Sequence, residues 1–154
     1  GETLPVHKPP PRSGGDFPLV MTCGHTRWSV HTLWRDVDIL LRLQRGEPVI
    51  FVNPDDAARR GLADRDSAAV HNDLGEFVAR VKLTPGMQPG QVHIFHAWLA
   101  TQHVGGRASD AITPSPTRVT NFAGKHGHMV NEVGWFDLSG NDRDTRVDLR
   151  KYTV

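Results

Sequence analysis

Eleven consecutive residues, Thr22-Cys23-Gly24-His25-Thr26-Arg27-Trp28-Ser29-Val30-His31-Thr32, combine four hydroxyl side chains, two imidazoles, a guanidinium and an indole. That mixture makes a poor core and a good polar loop. Hydroxyls, backbone N–H groups and a guanidinium are the donors that a phosphate or a polar ring edge accepts from. Arg27 could grip a phosphate with two parallel bonds, and Thr22, Thr26, Ser29 and Thr32 could add neutral ones. His31 could donate to a ring or phosphate oxygen, or bond to backbone as a core histidine. Trp28 could pack or stack. A solvated surface loop accounts for the same composition.

Three further groups could carry chemistry. Asn53 and Asp55 fall where a strand becomes a helix; a carboxylate there can accept two donors from a purine edge, and plain helix capping explains both residues equally. Lys125, His126 and His128 lie in Gly124-Lys125-His126-Gly127-His128, which could be a binding loop or a solvated one. His126-x-His128 and His93-x-x-His96 offer metal donors, but no third and fourth ligand follows at suitable spacing, so no metal site is expected. Cys23 beside His25 or His31 lacks any acyl-transfer context. As the single cysteine it forms neither an internal disulfide nor an all-cysteine metal site.

The elements that must position these groups are short. Phe17–Met21 reads as a strand leading into the polar loop. Residues 37–43 have apolar side chains at helical spacing. Pro48–Val52 is a continuous, β-branched strand. Asn53 then serves as N-cap, Pro54 as the first helical residue, Asp55 and Asp56 as first-turn acids, and Gly61 as the stop. Alternation over 68–71 and 77–83 around Asn72-Asp73-Leu74-Gly75 predicts a hairpin. Gln91–His96 and Thr145–Arg150 read as strands, and 99–144 as long irregular loops. Strand, short helix and hairpin in this order suit a small closed barrel.

Size and charge set the limits. The chain has 154 residues, enough for one domain with a core, and 18 Lys+Arg against 17 Asp+Glu. Such balance gives no basic field for nucleic acid, and no apolar run is long enough for a membrane span. Residues 1–16, with Pro9-Pro10-Pro11 and Ser13-Gly14-Gly15, read as an arm or linker cut from a longer polypeptide. Residues 17–154 form the domain.

Three stretches together resemble one family. Val49 to Leu62, continuing through Asp64-Arg65-Asp66 to Asn72-Asp73-Leu74-Gly75, is similar to the C-terminal dinucleotide-binding domain of the molybdopterin oxidoreductases, the dimethyl sulfoxide reductase family. Gly24 to His31 resembles the first loop of its nitrate reductase and ethylbenzene dehydrogenase branch, and Gly140 to Lys151 resembles the C-terminus of those catalytic subunits. Arg65 stands where the family usually has glycine, and Ala68 replaces a large inward residue.

The resemblance implies a mainly β fold, a double-psi β-barrel with short peripheral helices, of the aspartate-decarboxylase-like type. It implies that the domain clamps bis-molybdopterin guanine dinucleotide, with molybdenum and iron–sulfur clusters held elsewhere. The contacting set would be Thr22, Cys23, Gly24, His25, Thr26, Arg27, Trp28, Ser29, His31, Thr32, Asn53, Asp55, Lys125, His126 and His128, with no catalytic residue and no metal ligand in this chain. The implied partners are the upstream domains of the same subunit and an iron–sulfur electron-transfer subunit. The implied compartment is the periplasmic or cytoplasmic face of a membrane. The alternatives are a plain interaction module and a stand-alone barrel enzyme of the aspartate decarboxylase type. The latter needs a self-processing Gly-Ser pair, which this sequence lacks.

Overall fold

The computed structural model describes residues 14–113 and 145–153. Six strands close into one barrel. In chain order they are β1 (Leu19–Gly24), β2 (Val49–Val52), β3 (Ser67–Asn72), β4 (Gly75–Leu83), β5 (Gln91–Phe95) and β6 (Thr145–Lys151). Around the barrel the order is β1-β5-β2-β4-β3-β6, returning to β1. β1 runs parallel to β5 (Met21 opposite Val92) and β2 parallel to β4 (Ile50 opposite Val81). The other four pairings are antiparallel. Each parallel pair joins strands far apart in sequence, so the chain crosses the barrel ends twice. This is the double-psi architecture that the resemblance implies.

Alternation explains why the barrel is filled. Met21, Ile50, Val52, Val70, Phe77, Val81, Val92, Ile94 and Val147 point inward and are fully buried. Burying a Val, Leu, Ile or Phe side chain is worth about 1.5–3 kcal/mol. Ala68, small where a large residue is usual, is also fully buried inside.

α2 (Pro54–Ala58) forms as its sequence dictates, with Asn53 Oδ1 accepting from the Asp55 N–H at 2.9 Å. Gly61 closes the turn with φ +64°. α1 (Asp38–Leu43) has no side-chain cap and no buried residue. A helix of one and a half turns does not stand on propensity alone, and this one leans on the loop before it through Gln44.

Two expectations need correction. β1 continues to Gly24, so Thr22, Cys23 and Gly24 belong to the strand and the loop starts at His25. Residues 99–113, expected to be irregular, coil into 3-10 turns at Ala100–Gln102, Val104–Gly106 and Ser109–Ile112; the last two pack on β4 and cover its outer face, where Ala69 of β3 and Val78 of β4 are buried, and the first packs on the second. Buried Ile112 and His103 anchor them, and His103 Nδ1 lies 3.0 Å from the Val78 carbonyl. At the end of the expected arm, Gly14 is docked, its carbonyl accepting from Asp73 N–H at 3.0 Å.

Candidate cofactor-binding site

Parallel pairing creates the site. Because β1 and β5 run side by side, Gly24 and Phe95 end together, and the His96 N–H extends the ladder to the Gly24 carbonyl at 3.0 Å. The loops that leave these strands therefore meet. They bring His25, His31 and His96 into one cluster, with ring centroids 4.2 Å apart for His25–His96, 5.0 Å for His25–His31 and 5.1 Å for His31–His96. His25 meets the other two edge-on, while His31 and His96 stack within 18° of parallel. His31 reaches its place with φ +51°, a left-handed backbone that side chains rarely adopt. His25 and His31 are exposed and His96 is half-buried.

A cleft of about 400 Å³ opens beside the cluster. His25, Thr26, Arg27 and Trp28 form one wall; Phe51, Phe95 and Trp98 give it an aromatic floor. The Arg27 guanidinium lies 5.8 Å over the Trp28 ring. Flat apolar surface plus imidazole and guanidinium donors matches a planar, polar heterocycle carrying phosphate. The donor set thus fits a pterin dinucleotide.

One nitrogen from each of His25, His31 and His96 falls within 4.8 Å of the others, close enough to invite a metal reading. Three imidazoles can hold a divalent metal without a carboxylate, so the loop that carries His31 supplies the third donor that sequence spacing did not offer; the Arg35 guanidinium hydrogen-bonds the His96 carbonyl behind the cluster at 2.8 Å. The pair His93-x-x-His96 is split: His93 lies on the outer wall, its Nδ1 2.9 Å from Thr22 Oγ1. Burial holds the His93 pKa below the usual imidazole value.

The remaining expected contacts divide. Thr22 faces outward from β1 and is engaged with His93 and the Val92 carbonyl. Cys23 packs against the core. A side chain on Gly24 would come within 2.8 Å of the His93 ring. Ser29 is buried, 3.5 Å from Gln44 Oε1. Thr26 Oγ1 accepts from the Trp28 N–H at 3.3 Å, and Thr32 is exposed. Asn53 and Asp55 stand at the other end of β2, about 13 Å along the strand from Val49. There the Asn53 side chain holds local structure: its Oδ1 caps α2 and its Nδ2 donates to the Met87 carbonyl at 2.8 Å. Lys125, His126 and His128 lie outside the described residues.

Four contributors escape a reading of the sequence alone: Phe51, Phe95, Trp98 and Arg35. The first three look like ordinary core aromatics, and their register on β2 and β5 is what turns Phe51 and Phe95 outward. His96 was legible only as half of a metal pair.

Barrel and cleft together define a cofactor-holding module. The solved acetylene hydratase from Pelobacter acetylenicus has the same fold: TM-score 0.62 at 17% identity, over 90% of this chain and 19% of that one. The sequence profile of the molydopterin dinucleotide binding domain matches residues 19–132, and the chain belongs to that family. The cofactor-binding role and the molybdopterin guanine dinucleotide expected above rest on this match. Relatives include the respiratory nitrate reductase subunit alpha of Haloferax mediterranei, 38% identical over 98% of this chain, and the perchlorate reductase subunit alpha of Dechloromonas aromatica, 33% identical over 99%. The dimethylsulfide dehydrogenase subunit alpha of Rhodovulum sulfidophilum is 33% identical over 90%. The chain spans 16%, 16% and 15% of the lengths of these three relatives.

Proposed function

We propose that this chain is the part of a molybdenum oxidoreductase catalytic subunit that clamps bis-molybdopterin guanine dinucleotide from one side, the cleft at His25 and Arg27, beside the three-histidine cluster, receiving a pterin. The observation that carries this reading is an aromatic-floored cleft at a barrel end, lined by His25 and Arg27, with the imidazoles of His31 and His96 packed behind His25. When bound, the molybdenum cofactor supplies electron and oxygen-atom transfer. His25, His31 and His96 hold the ring edge through imidazole donors and acceptors, Arg27 holds phosphate, and Trp28, Phe51, Phe95 and Trp98 exclude water. Three relatives named for nitrate, perchlorate and dimethylsulfide align with 90% or more of this chain, which supports a choice of substrate made outside it.

The same loop supports packing against the rest of such a subunit. Val30, Leu33, Trp34, Val37, Ile39 and Leu43 form one run of exposed apolar side chains, Ile39 at 68%. An apolar run of this kind on a soluble domain marks an interface, and upstream domains of the subunit, joined through residues 1–16, are its proposed cover. An iron–sulfur subunit completes the proposed electron path.

The test is chemical-shift mapping on the 154-residue chain, with 6-hydroxymethylpterin and GDP added separately. Pterin should perturb His25, Trp28, His31 and His96; GDP should perturb Arg27 and its neighbours. Binding should be weak, because one side of a clamp acts alone. Shifts confined to the outer face of β4 would place the ligand elsewhere and end this reading.

A further inference from the structure

Arg35 is the largest fully buried side chain, 1% exposed, and among the described residues its partners are neutral. Nη2 donates to the His96 carbonyl at 2.8 Å, and Nη1 donates to Gln44 Oε1. Among the described residues Nε has no hydrogen-bond partner. The guanidinium carbon sits 4.1 Å from the centroid of the Trp98 ring, and the Arg35 carbonyl accepts from Gln102 Nε2 at 2.7 Å. Gln44 passes the tie onward, its Nε2 donating to the Leu40 carbonyl at 3.3 Å. One residue thus joins the 25–37 loop, α1, the end of β5 and the Ala100–Gln102 turn.

Taking a cation out of water without an anion is costly; the stacked indole offsets part of that cost. What the arrangement secures is backbone. Trp34 precedes Arg35 with φ +65°, and Ala97 follows His96 with φ +67°; His31 makes a third left-handed residue in the same patch. Each is disfavoured unless its surroundings hold it. Arg35 is covalently next to one and hydrogen-bonded across to the residue beside another.

We infer that Arg35 is the positioning residue of the three-histidine cluster: through the His96 carbonyl it fixes the β5 end, and through its own backbone it fixes the loop that carries His31. The functional consequence rests on the pterin reading above; the positioning role does not.

Arg35→Met keeps length and packing over Trp98 but removes every donor, so loss of stability is not the diagnostic. In ring-proton NMR of the 154-residue chain, the His25, His31 and His96 signals should move and their mutual NOEs should vanish, while His93 and His103 keep their positions. Arg35→Lys can restore one bond of the two and should recover part of the pattern. Affinity for 6-hydroxymethylpterin should fall roughly tenfold in Arg35→Met. If Arg35→Met does not fold, Gln44→Leu removes the Nη1 acceptor and should displace the same three signals less. Unchanged cluster signals in whichever variant folds would overturn the assignment. Moved signals with unchanged pterin affinity would leave the positioning role intact and remove the pterin reading instead.

Discussion

Thr22 and His93 face each other across the parallel β1–β5 pair, with Oγ1 2.9 Å from Nδ1. The contact lies on the outer wall just below the ladder end from which His25 and His96 emerge. It takes Thr22 out of the ligand loop and makes His93 a structural group. Burial lowers the His93 pKa, and burial lowers that of His103 as well, against the opposing pull of the Val78 carbonyl and Asp110.

Stability should therefore depend on pH with a defined sign. A histidine whose folded pKa is depressed binds fewer protons folded than unfolded below about pH 6.5. Its contribution is complete above that value and is lost as pH falls through the folded pKa. The unfolding midpoint should drop as pH falls below about 6.5, and less steeply in His93→Gln. A midpoint that rises on acidification would show that neither imidazole is held neutral. Urea titrations at several pH values read this directly.

Arg27→Ala should leave the barrel intact and weaken cofactor retention. A hydrogen bond to a charged group is worth about 1.5–3 kcal/mol. Arg27→Lys should rescue part of it, because an ammonium lacks the two-pronged geometry. Molybdenum content of the purified catalytic subunit is the measure; full retention in Arg27→Ala would reduce Arg27 to a solvated charge.

Asn53→Ala should cost stability and spare ligand binding. The cap on α2 is worth about 1 kcal/mol, and the Met87 carbonyl loses its donor as well. Denaturant midpoint and GDP affinity, measured on the same sample, separate the two roles. A loss of GDP affinity with an unchanged midpoint would return Asn53 to the ligand set.

Arg65 holds φ +72°, where the family usually has glycine. Its N–H donates to the Val81 carbonyl at 2.9 Å, which locks the turn. Arg65→Gly removes a left-handed penalty of about 1–2 kcal/mol against an entropic cost of about 0.5–1 kcal/mol. The variant should melt no lower than the parent, whereas Arg65→Val should melt lower. A clearly destabilised Arg65→Gly would mean that the side chain itself stabilises the turn.

Some of this protein was legible in its residues because the signals are local. Asn53, Pro54, Asp55 and Gly61 each act within a turn of their own position, so α2 and its ends could be written down in advance. The hairpin and the inward face of β4 follow from alternation, which a strand imposes on its nearest neighbours. Arg65 in the left-handed region was also foreseeable, from a turn that usually needs glycine.

The cleft was only half visible. The polar loop marked itself by composition, but which of its side chains face a ligand depends on partners far along the chain. Ser29 turns inward to Gln44. Asn53 and Asp55, grouped with the loop by chemistry, stand at the opposite end of β2 because β2 runs antiparallel to β5. Arg35 and His96, 61 residues apart, meet only because β1 and β5 end together. By itself the sequence determined the local elements, the barrel class and the chemical character of one loop, since propensity and periodicity act over a few residues. Only the tertiary structure decided which imidazoles cluster and which cation sets them, because strand register across a closed barrel is a property of the whole chain.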